Sequence, residues 1–268
     1  MKPLPVLRAF TRRAVVPVLV VLCWELAARR AQDVFFPPPS AIAGRMHELW
    51  FSGPASRLWL TSDAIGNILP SLARMAAGLA GALIAGVTLG LVLGRSERAL
   101  AYLDPLLQFA RAIPPPTLVP VFIVLLHLGT QMQIVSIAFG AVWPILLNTA
   151  DGARSVDPVQ TATARVFKLS ATDRLVRIIV PSALPKIFAG LRLSLSLALI
   201  LMVFSELLPG TANGIGFQLV DAQSRSDLPT LWSAIALLGM LGYLFNTLLL
   251  AVERRALRRR HPATAADR

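Results

Sequence analysis

Three long stretches of the chain contain no charged side chain, and they restrict its possible folds more than any other feature of the sequence. They run from Met75 to Gly94, from Ala112 to Ala150 and from Leu228 to Val252. A helix that crosses a bilayer needs about 20 apolar residues, so the outer two stretches each fit one span and the middle one fits two. Charged residues make up only 15% of the chain, against about 25% in a soluble domain. We therefore predict an integral membrane protein rather than a soluble, disordered or disulfide-linked one.

Two weaker apolar stretches bring the prediction to six transmembrane spans. Residues 14–28 are interrupted only by Glu25, and residues 187–208 carry Arg192 and Glu206 near their ends, where charged side chains can reach the interface. The most polar part of the longest stretch predicts a hairpin between two spans. In this all-α polytopic membrane helix bundle the predicted spans are residues 14–31, 71–94, 113–129, 131–150, 186–208 and 230–252.

The first apolar stretch also has the basic flank and the length of a signal peptide. Arg29 and Arg30 follow it, however, and no clean cleavage site between small residues is present. We therefore predict an uncleaved first span. The predicted organisation is an N-terminal segment (residues 1–13), a transmembrane domain (14–252) and a basic tail (253–268).

The distribution of basic residues predicts the orientation of the bundle. With both termini in the cytoplasm, 20 of the 26 Lys and Arg residues fall in inner segments, as the positive-inside rule requires. The remaining six are Arg29, Arg30, Arg45, Arg57, Arg74 and Arg225. The bias explains most of the net charge of +12, so no nucleic-acid partner is implied. The tail that begins near Arg254 is typical of contact with membrane lipid at the inner face.

The sequence contains no recognisable catalytic, cofactor-binding or metal-binding motif. His47, His127 and His261 are far apart and have no metal-ligand spacing to Cys23 or to one another. Neither a phosphate-binding loop nor a nucleophile elbow is present. We predict a protein that is not an enzyme and binds no metal or cofactor. Energy for uphill transport would have to come from a partner subunit or a co-ion.

Two features inside the predicted spans are candidates for special roles. Gly86, Gly90 and Gly94 are spaced four residues apart, which predicts close packing against another helix. A more specific alternative, compatible with the first, is that they line a translocation path. Glu206 lies in an apolar segment at the outer end of the fifth span, so it needs a partner or access to the interface. We predict an electrostatic or hydrogen-bonding role for Glu206 near the outer mouth; the alternative is an interfacial charge without a role in transport.

The segment between the fourth and fifth spans, residues 151–185, predicts two short helices joined by a turn on the cytoplasmic side. Asp157 precedes a proline and has the character of an N-cap, and Ser170 begins a capping box. The turn between the helices falls at Lys168 and Leu169. A capped helix–turn–helix on this face predicts a docking element, with a helix pair lying on the bilayer as the alternative.

The same segment resembles the EAA loop of binding-protein-dependent ABC importer permeases. The family pattern is Glu-Ala-Ala, three residues, Gly, nine residues, Ile, one residue and Leu-Pro, and Ala162, Lys168, Ile178 and Pro181 match its spacing without a gap. Other motifs resemble the nitrate/sulfonate/taurine-type subfamily and extend the resemblance over most of the chain. They are Phe35–Ser40, Ser71–Arg74, Leu103–Pro105, Arg111–Pro115, Asn148–Thr149, Val180–Pro185, Gly190–Arg192, and Glu206 with Gly214–Gly216.

The resemblance implies a permease subunit of an ATP-driven importer in the bacterial inner membrane. Two permease subunits, identical or different, would form the pathway for a small solute of the sulfonate, nitrate, taurine or vitamin-precursor type. Cytoplasmic ABC ATPase subunits would bind the loops, and an external solute-binding protein would deliver the solute. An ion-coupled secondary transporter and a membrane scaffold are the alternatives. The first is disfavoured because Glu25 and Glu206 both lie near predicted outer ends rather than at mid-membrane.

The resemblance also assigns ATPase coupling to the loop and its flanks. The residues are Ala162, Ala164, Arg165, Val166, Phe167, Lys168, Leu169, Asp173, Arg174 and Pro181. Three apolar residues at the turn are predicted to form a knob that enters a groove of the ATPase, because small interfaces concentrate energy in buried anchors. They are Val166, Phe167 and Leu169, with Arg165, Lys168 and Arg174 as the charged rim.

The chain departs from the family pattern at two positions. Ala162 stands where the family has glutamate, and Lys168 stands where it has glycine. The first change removes a possible ion pair with the ATPase. The second places a lysine in a turn that needs left-handed backbone geometry, at a cost of about 1–2 kcal/mol. We expect both changes to affect coupling rather than the fold.

Overall fold

The computed structural model describes residues 4–258, and every regular element in this range is a helix. The helices are α1 (Leu4–Ala31), α2 (Pro39–Met46), α3 (Leu69–Gly94), α4 (Glu97–Ala112), α5 (Val119–Leu126), α6 (Thr130–Arg154), α7 (Pro158–Val166), α8 (Ala171–Arg174), α9 (Val180–Glu206), α10 (Ile215–Ser224) and α11 (Leu228–Arg258). π-helical turns at Ala64–Ile68 and Leu175–Ile179 lead into α3 and α9. The predicted all-α class is confirmed for this range, and most of the predicted basic tail lies outside it.

Helix α6 is the centre of the bundle, because α3 and α9 pack along it more extensively than any other pair of described helices. Its residues Ile137, Ala141 and Ile145 are all 0% exposed. On the α9 side, a Cβ atom added to Gly190 would lie 2.6 Å from the carbonyl oxygen of Pro144. The close approach of these backbones therefore depends on a residue without a side chain.

Gly86, Gly90 and Gly94 line the face of α3 that contacts α6. A Cβ atom added to Gly90 would lie 2.6 Å from Thr149 Cβ, and one added to Gly94 would lie 2.5 Å from the Ala150 carbonyl oxygen. Atoms do not approach this closely, so any side chain here would force the two helices apart. The stripe therefore sets the distance between α3 and α6.

Four helices of the described range are long and apolar enough to cross a membrane. They are Ala64–Gly94, Thr130–Arg154, Ala171–Glu206 and Leu228–Leu257. A bent pair formed by Glu97–Ala112 and Pro115–Leu126 is the candidate for a fifth span. Helix α1 is not among these helices, because charged residues flank its apolar centre on both sides. The prediction of six spans is therefore supported only as far as four or five.

The predicted third span, residues 113–129, is helical only over Pro115–Leu126, which is shorter than the about 20 residues that a crossing helix needs. The chain forms a 3₁₀ turn at Pro115–Leu118 and then the eight-residue helix α5. The pair formed by Glu97–Ala112 and Pro115–Leu126 is bent by 82°. Three prolines in a row, residues 114–116, remove the backbone donors that a continuous helix needs, which explains the break.

The helix that contains the predicted fifth span begins before residue 186. One helical stretch runs from Ala171 through Glu206, so the second helix of the predicted loop continues into the membrane-crossing helix. A π-helical turn at Leu175–Ile179 precedes Pro181. Such a turn lets a helix pass a residue without an N–H group. The turn after α7 is therefore joined to α9 by a continuous helical stretch.

Helix α2, which precedes α3 in the chain, is held against the start of α11 by an ion pair and hydrogen bonds. Arg45 of α2 contacts Asp227 Oδ2 through Nη2 at 3.0 Å and donates from Nε to Thr230 Oγ1 at 2.9 Å. Partial burial raises the pKa of Asp227, but hydrogen bonds from Thr230 and the charge of Arg45 outweigh it and hold the pKa below its usual value. Near this pair, Trp24, Phe36 and Trp232 form an aromatic cluster with ring centroids 5.3–5.6 Å apart.

Candidate functional site

Two groups of residues that the sequence singles out lie at opposite ends of α9. The first is the turn between α7 and α8. Asp157 Oδ1 accepts a hydrogen bond from the Val159 amide at 2.8 Å, and Ser170 Oγ accepts one from the Asp173 amide at 3.0 Å. Each helix therefore begins at the N-cap that the sequence predicts. The two caps fix the ends of the turn.

Lys168 gives the turn its shape. Its φ angle is 51°, in the left-handed region. The Lys168 amide donates to the Arg165 carbonyl oxygen at 3.0 Å, and the Leu169 amide donates to the Ala164 carbonyl oxygen at 3.0 Å. This pair of bonds is a Schellman motif, in which glycine is the usual residue at the left-handed position. The Schellman motif thus explains why the family has glycine at this position. It also confirms the prediction that Lys168 adopts left-handed backbone geometry.

The turn exposes two large apolar side chains. Val166 is 79% exposed and Phe167 is 74% exposed, whereas Leu169 is half-buried. A groove of about 720 Å³ opens beside them. Among the residues that line it are Val159, Ala164, Phe167, Leu169, Ile178 and Pro181. Because Ala164 is only 2% exposed, this position favours a small residue.

The basic residues around the turn are divided between two faces. Arg177 lies beside the apolar groove and forms an ion pair with Asp173 at 3.1 Å. Arg165 and Arg174 instead line a second cavity between the turn and the C-terminal ends of α3 and α6. Ala162 and Lys168 are exposed. Arg177 is therefore the basic residue at the groove, and the sequence did not single it out.

The second group surrounds Glu206, which is 1% exposed at the end of α9. Arg74 Nη1 lies 2.9 Å from Glu206 Oε1. Ser71 Oγ donates to Glu206 Oε2 at 2.8 Å, and the Gly216 amide donates to the same oxygen at 3.1 Å. The carboxylate thus has a charge partner and two further donors, so its burial is compensated.

The segment before α10 packs directly onto this carboxylate. A Cβ atom added to Gly214 would lie 2.5 Å from Glu206 Cδ, and one added to Gly216 would lie 2.6 Å from Glu206 Cβ. Arg74 also donates from Nη1 to the Asn213 carbonyl oxygen at 3.1 Å. The two glycines let the backbone approach the ion pair, which joins α3, α9 and the start of α10.

The sequence marks Glu206 as a candidate, but its pairing with Arg74 was not predicted. A usable signal was present, since Ser71 and Arg74 are one helical turn apart at the start of an apolar span, and a basic residue there needs an acidic partner. Glu206 has hydrogen-bond and charge partners in the structure, and its predicted role near the outer mouth stays a prediction. No group of three or more metal-ligating side chains occurs among the described residues.

Several long apolar helices packed around α6 define a multi-pass membrane protein. The chain belongs to the family of binding-protein-dependent transport system inner membrane components, whose model matches residues 62–260. The match covers more than half of the chain and includes both groups of residues described above.

Individual relatives agree with this assignment. The chain is 34% identical over 214 residues to the bicarbonate transport system permease protein CmpB of Synechococcus elongatus, covering 80% of this chain and 77% of that protein. It is 30% identical over 247 residues to the putative aliphatic sulfonates transport permease protein SsuC of Bacillus subtilis, with coverages of 91% and 86%. It is 30% identical over 243 residues to the nitrate import permease protein NrtB of Synechocystis, with coverages of 90% and 87%.

A solved structure has a similar fold. A chain from inward-facing conformations of the MetNI methionine ABC transporter matches with a TM-score of 0.60 and 16% identity, covering 71% of this chain and 94% of that chain. This protein is therefore a permease subunit of an ABC importer, a transport component rather than an enzyme, and it works with ATPase and solute-binding partners. The resemblance to the nitrate/sulfonate subfamily is confirmed. The secondary-transporter and scaffold alternatives are set aside.

Proposed function

We propose that the turn between α7 and α8 is the part of this permease that binds the ATPase subunit, with Phe167 as its anchor. The observation that carries the proposal is the 74% exposure of Phe167 on a turn that is capped on both sides. An exposed aromatic residue beside an apolar groove costs solubility unless a partner buries it. The family supplies that partner, since the permease depends on a separate ATPase.

Continuity between the turn and α9 supports a mechanical role for this contact. Leu169 and Ser170 are the only residues between the left-handed Lys168 and the start of the helical stretch Ala171–Glu206. Movement of the ATPase against Phe167 would therefore tilt or shift a helix that reaches the Arg74–Glu206 pair at its other end. ATP-driven motion would reach the outer mouth through this helix.

The Phe167→Ala variant tests the anchor. We expect about 2 kcal/mol of lost affinity for the ATPase, or roughly a thirtyfold weaker Kd, with normal membrane insertion. The measurement is titration of purified ATPase onto the permease in nanodiscs. Phe51→Ala is the control, because Phe51 is 41% exposed but lies in the segment before α3, at the opposite end of the bundle. Wild-type assembly and transport by Phe167→Ala would refute the assignment.

The proposed topology has six crossings with both termini in the cytoplasm. Helix α1 would be the first crossing and the bent pair of α4 and α5 would supply the third. The inner excess of basic residues supports this orientation, and so does the concentration of arginines around α7 at one end of the bundle. The membrane is the bacterial inner membrane, and the basic tail would contact its lipid.

A second permease subunit is needed to complete the pathway. The centre of this chain is closed, because the residues of α6 that face α3 and α9 are fully buried. A solute would therefore pass along the outside of the bundle, between this chain and a second copy or a related subunit. The membrane-crossing helices leave large apolar faces for lipid and for this neighbour.

The proposed solute is a small oxyanion. The three relatives named above are described as permeases for bicarbonate, aliphatic sulfonates and nitrate, which share a negatively charged group of oxygen atoms. Uptake into vesicles that contain the complete transporter, with its solute-binding protein, would test each anion. Taurine and a neutral pyrimidine serve as comparisons. Uptake of the pyrimidine alone would contradict the proposal.

A further inference from the structure

A second cavity on the side of the coupling turn is lined by four arginines. It has a volume of about 700 Å³, within the range of about 300–1,000 Å³ that small-molecule sites occupy. Arg95 follows α3, Arg154 ends α6, Arg165 lies in the last turn of α7 and Arg174 lies in α8. We call this space the arginine cavity. Its wall therefore includes both the membrane bundle and the coupling turn.

The four guanidinium groups have no anionic partner within the described part of the chain. None of them forms an ion pair or a side-chain hydrogen bond with a residue in that range, whereas Arg74, Arg45, Arg177 and Arg192 all do. Two carboxylates also line the cavity, but Asp151 is bound to Lys186 at 2.7 Å. Only Glu97 remains to oppose four positive charges.

This arrangement produces a positive potential that attracts anions, although Arg95, Arg154 and Arg165 are also exposed to solvent. A charged acceptor that binds between the arginines lowers the repulsion between their like charges. Arginine presents a planar fork of N–H donors that matches the oxygen atoms of a phosphate or carboxylate group. The lining also includes the hydroxyl groups of Ser155 and Thr161, which suit a polar ligand.

We propose that the arginine cavity binds a small oxyanion and thereby holds the coupling turn against the membrane bundle. An anion bridging Arg165 or Arg174 to Arg95 or Arg154 would join α7 and α8 to the ends of α3 and α6. Because the turn must move for ATP hydrolysis to drive transport, bound anion would slow the cycle. The anion is inorganic phosphate or the imported solute itself, and the regulatory role rests on the proposed function of the turn.

Thermal unfolding of the complete, nucleotide-free transporter in nanodiscs tests binding without requiring transport. Phosphate, bicarbonate, nitrate and methanesulfonate are titrated at constant ionic strength, with chloride as the reference. We expect at least one oxyanion to raise the Tm saturably above the chloride value. We expect the half-saturating concentration to rise about tenfold or more in Arg154→Gln and in Arg95→Gln, the factor for loss of one charge-assisted contact.

Arg98→Gln is the matched control, because Arg98 is an exposed arginine of α4 that does not line the cavity. It should respond like the wild type. A rise in Tm with phosphate identifies phosphate as the bound anion. A rise in Tm with only one of the other anions identifies the imported solute as the bound anion. Equal stabilisation by chloride, or equal half-saturation in Arg154→Gln, Arg95→Gln and Arg98→Gln, would overturn the proposal. The Phe167→Ala variant should retain anion binding, so a failure of the ATPase-docking proposal can be distinguished from a failure of the anion-binding proposal.

Discussion

Lys168 shows how one residue sets the stability of the coupling turn. Its left-handed φ of 51° is a conformation that costs a lysine about 1–2 kcal/mol and a glycine almost nothing. The Lys168→Gly variant should therefore stabilise the turn by about 1 kcal/mol, since glycine is the usual residue at this Schellman position. Hydrogen exchange of the Lys168 and Leu169 amides would measure the change. Faster exchange of these amides in the variant would contradict the assigned geometry.

The buried ion pair gives a second prediction at the scale of single residues. Glu206→Gln leaves the Arg74 charge buried without a counter-charge, which costs about 3–5 kcal/mol. Arg74→Gln leaves the Glu206 carboxylate buried without a counter-charge, so it should cost a similar amount. The double variant removes both charges, so its loss should be clearly smaller than the sum of the two. Thermal unfolding of the four proteins in nanodiscs gives the coupling energy, and additive losses would show that the two residues act independently.

Local and distant features of these sites differ in how far the sequence predicts them. The caps at Asp157 and Ser170 and the left-handed turn involve residues within a few positions of one another, so their sequence pattern is sufficient. Arg74 and Glu206 are separated by 132 residues, and only the packing of α3 on α9 brings them together. Arg165 and Arg174 line the arginine cavity because of the way α7 lies against the bundle. A single sequence does not specify that packing.

At the scale of helices, the glycine stripe of α3 gives a prediction with a control on the same helix. A Cβ atom at Gly90 would meet Thr149 Cβ at 2.6 Å, whereas one at Gly81 finds its nearest neighbour, Ala138 Cβ, at 3.9 Å. Gly90→Ala should therefore destabilise the protein by about 1–3 kcal/mol. Gly81→Ala should be neutral or slightly stabilising, because alanine favours a helix. Unfolding in detergent would compare them, and equal stability of the two variants would refute the close contact of α3 with α6.

Of all the features of the fold, the ends of the helices were the least predictable from the sequence. Apolar composition marks residues 113–129 as a span, but the prolines at 114–116 divide this segment between a 3₁₀ turn and the short helix α5. Conversely, Pro181 suggests a boundary where the chain continues as one helix after a π-helical turn. Proline indicates that a hydrogen bond is missing, and the surrounding packing decides whether the helix ends, bends or passes through.

At the scale of the whole molecule, the orientation in the membrane relates all of these sites to one another. In the proposed orientation, the α7–α8 turn, the arginine cavity and the basic tail would share the cytoplasmic side. The Arg74–Glu206 pair, at the other end of α3 and α9, would then lie near the outer face. One helix would connect the ATPase contact to the outer mouth, which is the mechanical requirement for coupling hydrolysis to opening.

Cysteine labelling tests this orientation directly. Cys23 is the single cysteine, so a Cys23→Ser background leaves no other reactive thiol in the chain. Ser155 is exposed at the end of α6, and Ser56 is exposed in the segment before α3. A membrane-impermeant maleimide added to cells with a permeable outer layer and an intact inner membrane should label Ser56→Cys and leave Ser155→Cys unlabelled until the inner membrane is opened. Both positions are exposed in the fold, so a difference between them reports the side of the membrane rather than burial. Labelling of Ser155→Cys from outside would reverse the topology and move the coupling turn away from any cytoplasmic ATPase.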